Sequence, residues 1–387
     1  MPLQRPADAP ARIHWTEAGV ERSARWRSES GMPPPKKVII ADDQTPADLA
    51  YRLACEGTAL LWRGDFQNAR QLLQALARRN DAKGKGKKAK APKLPATPAE
   101  AFHLHRQAQS QRARTLAMLL MPFEADYTVP LRRAPDVKLA CNEAYGRSDE
   151  PFVASMRELL GLIGAHEWRK NGVEIPALEE RIHPHYGVFS PIRGEYIALV
   201  AGTPLPAGAK VAFDIGTGSG VLAAVLAKRG MQHIVATDLD PRALSCAREN
   251  LHRLGLEHQV ELMKADLFPE RRADLVLCNP PWLPGRPSSS IEAAIYDPDS
   301  RMLKGFLAGV GAHLAPGGEA WLILSDLAEH LGLRPRPELM AWIEAGGLRV
   351  VERHDVRPTH ARATDTADPL FAARSAELTS LWRLSIR

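Results

Sequence analysis

The second half of the chain alternates short apolar runs with amphipathic segments. Runs such as KVAFDI (210–215) and HIVATD (233–238) have the length and composition of buried strands. Alternation of this kind is typical of an α/β fold, in which a mainly parallel sheet carries helices on both faces. The predicted strands are 210–215, 233–238, 259–266, 273–279, 319–325, 348–356 and 378–386, and the predicted helices are 219–229, 241–254, 301–314 and 336–346. Because no long helix separates the last two strands, the sheet is expected to end in a reversed pair.

The first 165 residues predict helices instead. The segments TPAD (45–48) and TPAE (97–100) each place a hydroxyl cap, a first-turn proline and an acid where a helix begins. We therefore expect a mainly helical domain over 41–165, after a loosely ordered segment over 1–40. Asn171-Gly172 is a strong signal for a hairpin turn, and the α/β domain is expected over 166–387.

A lysine-rich linker is predicted over 81–96. Six lysines lie within residues 83–93, with almost no apolar residues. Such a segment is either a solvated tether or a tail that binds nucleic acid. It contains no aromatic residues, which favours the tether.

Composition excludes several classes of protein. The net charge is a modest +6, and no stretch of the chain is apolar enough to span a membrane. The N-terminus has no apolar segment typical of a signal peptide, and the four cysteines show no CxxC spacing. His183 and His185 have no acidic or cysteine companion at ligand spacing. We expect a cytoplasmic protein with no metal and no membrane partner; its oligomeric state is left open.

A glycine loop joins the first strand of the α/β region to its first helix, in VAFDIGTGSGVLA (211–223). Its glycines allow a tight turn and close approach of a ligand. The dinucleotide fingerprint GxGxxG would require a third glycine where the chain has Val221. The acid before the loop would repel a pyrophosphate but attract an ammonium group, which favours a cationic amino-acid cofactor. The predicted cofactor contacts are Asp214, Gly216, Thr217, Gly218 and Gly220.

Acidic residues follow the next two strands. Asp238 lies two dozen residues after the loop, where a carboxylate can accept hydrogen bonds from ribose hydroxyls. Asp240 precedes a proline and is interpreted as a helix cap. Asp266 can reach the exocyclic amine of an adenine. The predicted cofactor contacts here are Asp238, Leu239, Asp266 and Leu267.

The fourth strand ends in Asn279-Pro280-Pro281-Trp282. Two adjacent prolines stop a strand because neither can donate a ladder hydrogen bond. Asn279 is therefore expected at the same sheet edge as the acids, where open α/β sheets bind ligands. Alone, the motif is an ordinary turn; behind the glycine loop and the acids it predicts a substrate site.

These four elements in order resemble class I S-adenosylmethionine-dependent methyltransferases. The resemblance covers about residues 165–385 and narrows to the (N/D)PP(Y/F/W) group, which methylates planar nitrogens. That group includes the HemK-like glutamine methyltransferases and the methyltransferase small domain enzymes that act on bases. The resemblance implies a seven-stranded Rossmann-like sheet and S-adenosylmethionine as the cofactor, to which Asn279 also contributes.

The resemblance also implies roles for the motif. In this group the asparagine oxygen and the first proline carbonyl accept hydrogen bonds from the target NH2, which assigns catalysis to Asn279 and Pro280 here. Pro281 keeps these acceptors rigid, and Trp282 offers a flat face to a planar target. The implied substrate is a glutamine amide of a translation-related protein or an exocyclic amine of a base in RNA.

Two departures from the group's pattern leave both substrates open. The segment before the glycine loop is GVFSPIRGEY (187–196), which differs from the group's usual sequence there. The aromatic residue of the motif is Trp, where Tyr is more common. The alternatives are a NAD-type Rossmann oxidoreductase and a non-catalytic cofactor-binding protein. Phe189 and Arg193 either close over the cofactor or serve as core packing and a surface ion pair. Tyr296 and Arg301 either contact the substrate or belong to a helix start capped by 299–300.

Overall fold

The computed structural model describes residues 10–82, 95–287, 290–359 and 364–387. It divides into two compact units. The first unit comprises Met1–Leu94 and His105–Glu167, and the second comprises Pro95–Leu104 and Trp168–Arg387. Most of the predicted lysine-rich linker lies outside the described residues.

The N-terminal part of the chain forms a sheet, so the prediction of a mainly helical domain is wrong. The described strands pair in the order β1-β2-β6-β5-β4-β3. The strands are Arg12–Glu17 (β1), Val20–Trp26 (β2), Lys37–Ala41 (β3), Thr58–Trp62 (β4), Leu119–Phe123 (β5) and Phe152–Ser155 (β6). The helices are Ala47–Cys55 (α1), Phe66–Ala82 (α2), Pro98–Leu116 (α3), Lys138–Tyr145 (α4) and Met156–Asn171 (α5).

The predicted loose segment over 1–40 contains the hairpin β1–β2, so that prediction is wrong for its described part. Strand β1 alternates buried and exposed residues, with Ile13 and Trp15 in an apolar cluster. Its turn places Ala18 and Gly19 at φ of +51° and +78°, the conformation that suits a two-residue hairpin. Strand β2 does not alternate in this way, because its first four residues are exposed and only Trp26 at its end is buried.

The second unit contains a seven-stranded sheet among its described residues, in the order β11-β10-β9-β12-β13-β15-β14. Its strands are Val211–Ile215 (β9), His233–Asp238 (β10), Val260–Lys264 (β11), Ala273–Cys278 (β12), Leu314–Ser325 (β13), Leu348–Val356 (β14) and Thr379–Ile386 (β15). A separate hairpin joins Val173–Ile175 (β7) and Glu180–Ile182 (β8). Strands β9 to β13 are parallel, whereas β15 runs antiparallel to both neighbours, so the predicted reversed pair is confirmed.

Helices cover both faces of this sheet. One apolar cluster contains residues of Glu195–Gly202 (α6) and Val221–Lys228 (α7), and another contains residues of Arg301–His313 (α10) and Arg336–Ala345 (α12). Because both faces are buried at the centre of the sheet, β9 and β12 consist of nearly continuous apolar residues, whereas the edge strand β14 is largely polar and exposed. The helices are Glu195–Gly202 (α6), Val221–Lys228 (α7), Pro241–Arg253 (α8), Ser290–Ala293 (α9), Arg301–His313 (α10), Leu327–His330 (α11), Arg336–Ala345 (α12) and Phe371–Ala376 (α13).

The Asn171-Gly172 pair ends a helix and does not form the predicted hairpin turn. Asn171 is the last residue of α5, and Gly172 follows at φ +69°, as helix-terminating glycines do. The β7–β8 hairpin turns later, at residues 176–179, where Glu179 has a φ of +55°. Within the described part of the chain, no helix is both long and apolar enough to cross a membrane.

Candidate functional site

The glycine loop lies between the end of β9 and the start of α7. Gly216, Gly218 and Gly220 have φ of +74°, +56° and +81°, the left-handed region that disfavours side chains. The amides of Gly216 and Thr217 both donate to the carbonyl of Thr237 in β10, at 2.9 Å. A Cβ at Gly218 would meet no atom within 4 Å. The loop therefore presents open backbone at its tip, where a ligand can approach.

Asp214 is buried beneath this loop and secures it. Its Oδ2 accepts a hydrogen bond from Thr217 Oγ1 at 2.7 Å and from the Ala223 amide at 3.1 Å, in the first turn of α7. Burial raises the pKa of Asp214 to about 6, and the nearby carboxylate of Asp238 adds to the rise. The predicted contact of Asp214 with an ammonium group stays a prediction.

Asp238 reaches the loop from the end of the neighbouring strand. Its Oδ2 accepts from the Gly218 amide at 3.0 Å, and its Oδ1 accepts from the Asp240 amide at 2.9 Å. Each carboxylate oxygen can accept a further hydrogen bond, which suits a ribose diol. Asp240 accepts from the Arg242 amide at 2.8 Å, so its predicted helix cap is confirmed. Leu239 is half exposed beside these acids.

Asp266 follows β11 and is already ion-paired. Arg301 Nη2 donates to Asp266 Oδ2 at 2.6 Å, although more than half of each side chain is exposed. Leu267 has a φ of +76°, an unusual conformation for leucine, and its carbonyl accepts a 2.6 Å hydrogen bond from Thr237 Oγ1. A ligand amine at Asp266 would share that carboxylate with Arg301.

The Asn-Pro-Pro-Trp turn directly follows β12. Cys278 is in register with Ile215 of β9, so Asn279 begins level with the glycine loop on the adjacent strand. The far end of the turn is fixed because the Leu283 amide donates to the Ile295 carbonyl at 3.1 Å. Leu283 also forms a bridge with Tyr296. The structure thus brings the predicted loop, acids and motif to the same edge of four adjacent strands.

Trp282 folds back on the asparagine of its own motif. Its indole Nε1 donates to Asn279 Oδ1 at 2.8 Å. The ring is partly buried against both apolar clusters of the sheet. The same ring has the Arg193 guanidinium carbon 5.6 Å from its centre, within cation–π range.

Asp297 is a residue that sequence reasoning missed. Its buried carboxylate accepts hydrogen bonds from the amides of Met302 and Leu303, which begin α10. The predicted cap over 299–300 is therefore wrong: Ser300 occupies the cap position without a capping side-chain bond. An aspartate preceding Pro298 was the available signal, but the left-handed residues after it displaced the helix start.

Arg193 is not in a surface ion pair. Its Nη1 lies 3.3 Å from Oε1 of Glu377, whose side chain is fully buried. Ser325 Oγ donates to the same oxygen at 2.7 Å. Arg193 Nε also lies 3.8 Å from Oε1 of the neighbouring Glu195. Glu377 is distant from Arg193 in the sequence, so no local pattern indicated that contact. His183 and His185 bond to the Arg169 carbonyl and to Glu249, respectively.

Comparison with known proteins finds a family model that matches this region. The family model described as "Methyltransferase small domain" matches residues 179–335. Residues 179–335 are therefore similar to methyltransferase small domains. This span contains the glycine loop, both acids and the Asn-Pro-Pro-Trp turn. The predicted methyltransferase resemblance is confirmed for this domain, and the match favours it over the NAD-type oxidoreductase.

Curated relatives match the same region over part of their length. The chain is 34% identical over 150 residues to the release factor glutamine methyltransferase of Cereibacter sphaeroides, covering 35% of this chain and 51% of the relative. It is 33% identical over 147 residues to the tRNA1(Val) (adenine(37)-N6)-methyltransferase of Shewanella loihica, covering 35% and 60%. The ribosomal protein L11 methyltransferase of Pelotomaculum thermopropionicum is 35% identical over 146 residues, covering 37% and 39%. The chain thus spans about half the length of the first relatives it matches.

The residues present fit S-adenosylmethionine, the cofactor that the sequence predicts. The open backbone at Gly218 leaves room for a ligand, and a diol acceptor stands beside it at Asp238. The half-exposed Leu239 provides an apolar surface next to that acid. These are the chemical features that an adenosyl group with a charged amino-acid tail requires.

Proposed function

We propose that this protein is an S-adenosylmethionine-dependent methyltransferase that transfers a methyl group to a planar nitrogen of a macromolecule. The observation that carries the proposal is the rigid Asn-Pro-Pro-Trp turn at the strand edge beside the glycine loop. The family match of residues 179–335 supports it. A cytoplasmic location stays a prediction.

The chemistry follows from the acceptors of the turn. An amide or aniline-like nitrogen is a poor nucleophile because its lone pair is delocalised. Asn279 Oδ1 and the Pro280 carbonyl would accept the two hydrogens of the target NH2 and turn the lone pair out of conjugation. The two prolines restrict the backbone that carries these acceptors, which is an orientational contribution to catalysis.

The remaining residues hold the cofactor, whose sulfonium supplies an electrophilic methyl group when bound. Asp238 would accept from the ribose, and Asp266 from the adenine amine. The loop over 216–220 would pass along the amino-acid part, with Asp214 beneath it maintaining the loop's shape. A metal ion has no part in this scheme.

The substrate is either a glutamine amide of a translation-related protein or an exocyclic amine of an RNA base. Relatives named for a release factor, a tRNA and a ribosomal protein support a macromolecular target for this chain. The six lysines within residues 83–93 would favour RNA if they bind phosphates.

The test uses labelled S-adenosylmethionine and a lysate lacking the enzyme. Wild type is compared with Asn279→Ala and with Asn142→Ala, a matched change at an exposed position of α4. We expect Asn279→Ala to lose roughly 100-fold in transfer, as when one positioned polar group is removed from an active site. Because Asn279 is also a predicted cofactor contact, the affinity for S-adenosylmethionine should fall, but by much less than the transfer rate, and Asn142→Ala should transfer normally.

The fate of the label decides the substrate. Label sensitive to RNase identifies RNA, and label sensitive to protease identifies protein. Cofactor binding without label in either fraction would refute a macromolecular substrate. Transfer by Asn279→Ala at the wild-type rate would refute the role of the motif.

A further inference from the structure

The aromatic residue of the motif makes a contact that only tryptophan can make. The indole Nε1 of Trp282 donates to Asn279 Oδ1 at 2.8 Å. Phenylalanine has no donor, and the hydroxyl of tyrosine lies at the far end of its ring. The tryptophan found here in place of the commoner tyrosine therefore changes the chemistry of the turn.

This hydrogen bond determines which way the Asn279 amide faces. An indole N–H can only donate, so the amide must turn its oxygen, not its NH2, toward Trp282. The oxygen has two lone pairs, and one remains for a hydrogen of the target nitrogen. An amide with the opposite orientation would present donors to the target and could not activate it.

The indole ring is held in turn by a buried ion pair. The guanidinium of Arg193 lies over the ring, 5.6 Å from its centre, and Arg193 Nη1 is 3.3 Å from Glu377 Oε1. The Glu377 side chain is fully buried and also accepts from Ser325 Oγ at 2.7 Å. Separating Arg193 from the buried Glu377 carboxylate would cost free energy, so this ion pair fixes the position of Arg193 above the ring.

The backbone of Trp282 has its own restraint. Arg334 Nη2 lies 3.4 Å from the Trp282 carbonyl, and the Arg334 side chain is almost fully buried. Together these contacts fix both the ring and the main chain of Trp282. A side chain restrained in this way can orient its neighbour.

We propose that Trp282 is a positioning residue whose indole N–H orients the Asn279 amide, and that Arg193 and Glu377 hold the indole in place. This proposal rests on the proposed N-methyl transfer. It assigns Trp282 a role beyond offering a flat face to the target. It also explains how Arg193 and Glu377, which are distant in the sequence, both contribute to the orientation of the Asn279 oxygen.

The first test reads the hydrogen bond without using activity. Protein labelled with ¹⁵N at the tryptophan indoles gives a Trp282 signal, identified by its loss in Trp282→Phe. We expect slow exchange of this indole proton with solvent in wild type and fast exchange in Asn279→Ala. Arg193→Gln should also speed exchange, and Arg193→Lys should restore part of the protection. An indole proton that exchanges equally fast in wild type and Asn279→Ala would overturn the proposal.

The second test measures kcat with the RNA or protein fraction that takes up the label. We expect Trp282→Phe and Trp282→Tyr each to lose about tenfold in kcat, equivalent to about 1.4 kcal/mol and so to one hydrogen bond. The Kd for S-adenosylmethionine should not change. The matched control is Trp168→Phe, at a half-exposed position outside the site, which should match wild type.

The two tests separate the proposals. Full kcat in Trp282→Tyr, with label transferred by wild type, would overturn the positioning role and leave the proposed function standing. If wild type transfers no label, the proposed function fails, and the exchange data alone decide whether Trp282 holds Asn279.

Discussion

The buried carboxyl of Asp214 predicts an unusual dependence of stability on pH. Its pKa is raised to about 6 from 3.8, chiefly by burial. The folded state therefore binds more protons than the unfolded state between these two values, and the free energy of unfolding falls as pH rises through this window. The full shift in the pKa of Asp214 corresponds to roughly 3 kcal/mol of unfolding free energy, at about 1.4 kcal/mol per pH unit.

The perturbation that isolates this effect is Asp214→Asn, which keeps the size of the side chain and removes its titration. Between pH 5 and 7.5, wild type should lose about 1.5 kcal/mol of stability relative to the variant. Hydrogen–deuterium exchange of peptides covering Val211–Ile215, measured at increasing urea concentrations, would report the unfolding of the second unit specifically. The exposed Glu270→Gln serves as the control and should run parallel to wild type.

The refuting result is a constant difference between wild type and Asp214→Asn across this pH range. That outcome would mean that Asp214 titrates at its ordinary pKa in the folded protein. The hydrogen bonds from Thr217 and Ala223 would then fully offset its burial.

Two further predictions concern neighbouring acids. Asp266→Ala should raise the Kd for S-adenosylmethionine about tenfold, as measured by calorimetry. Arg301→Ala should leave the Kd unchanged or lower it, because this change frees the Asp266 carboxylate. Weaker binding in Arg301→Ala would show that Arg301 itself contacts the cofactor. Asp297→Ala should lower the free energy of unfolding by about 2 kcal/mol in chemical denaturation, because the first amides of α10 lose their acceptor. A change below about 0.5 kcal/mol would show that other groups replace that acceptor.

The second unit was predictable because its sequence signals agree with each other. Four of the seven predicted strands are followed by a predicted helix, and the candidate polar residues come where strands end. Asp240 illustrates the agreement, since its cap, its proline and the strand before it all indicate the same boundary. The predicted edge of the sheet follows from this order alone.

The first unit was mispredicted because its strands lack such signals. TALLW (58–62) and LLMPF (119–123) are continuous apolar runs beside helices, and periodicity does not distinguish these runs from the ends of buried helices. Strand β2 has the sequence VERSARW, in which four of seven residues are polar and four are exposed. Contacts such as Arg193 with Glu377 depend on the folded chain and leave no local pattern.

The order of synthesis has a consequence for the surface beside the motif. Phe102, in the short segment Pro95–Leu104 assigned to the second unit, packs in one apolar cluster with Leu283 and Leu370. A ribosome makes Phe102 long before Leu283, and Leu370 later still. Phe102 can therefore bury its side chain in this complete cluster only after Leu370 has left the exit tunnel. The apolar cluster beside the Asn-Pro-Pro-Trp turn thus forms after the residues of the glycine loop have been made, and a chain that stops before Leu370 would leave this cluster incomplete.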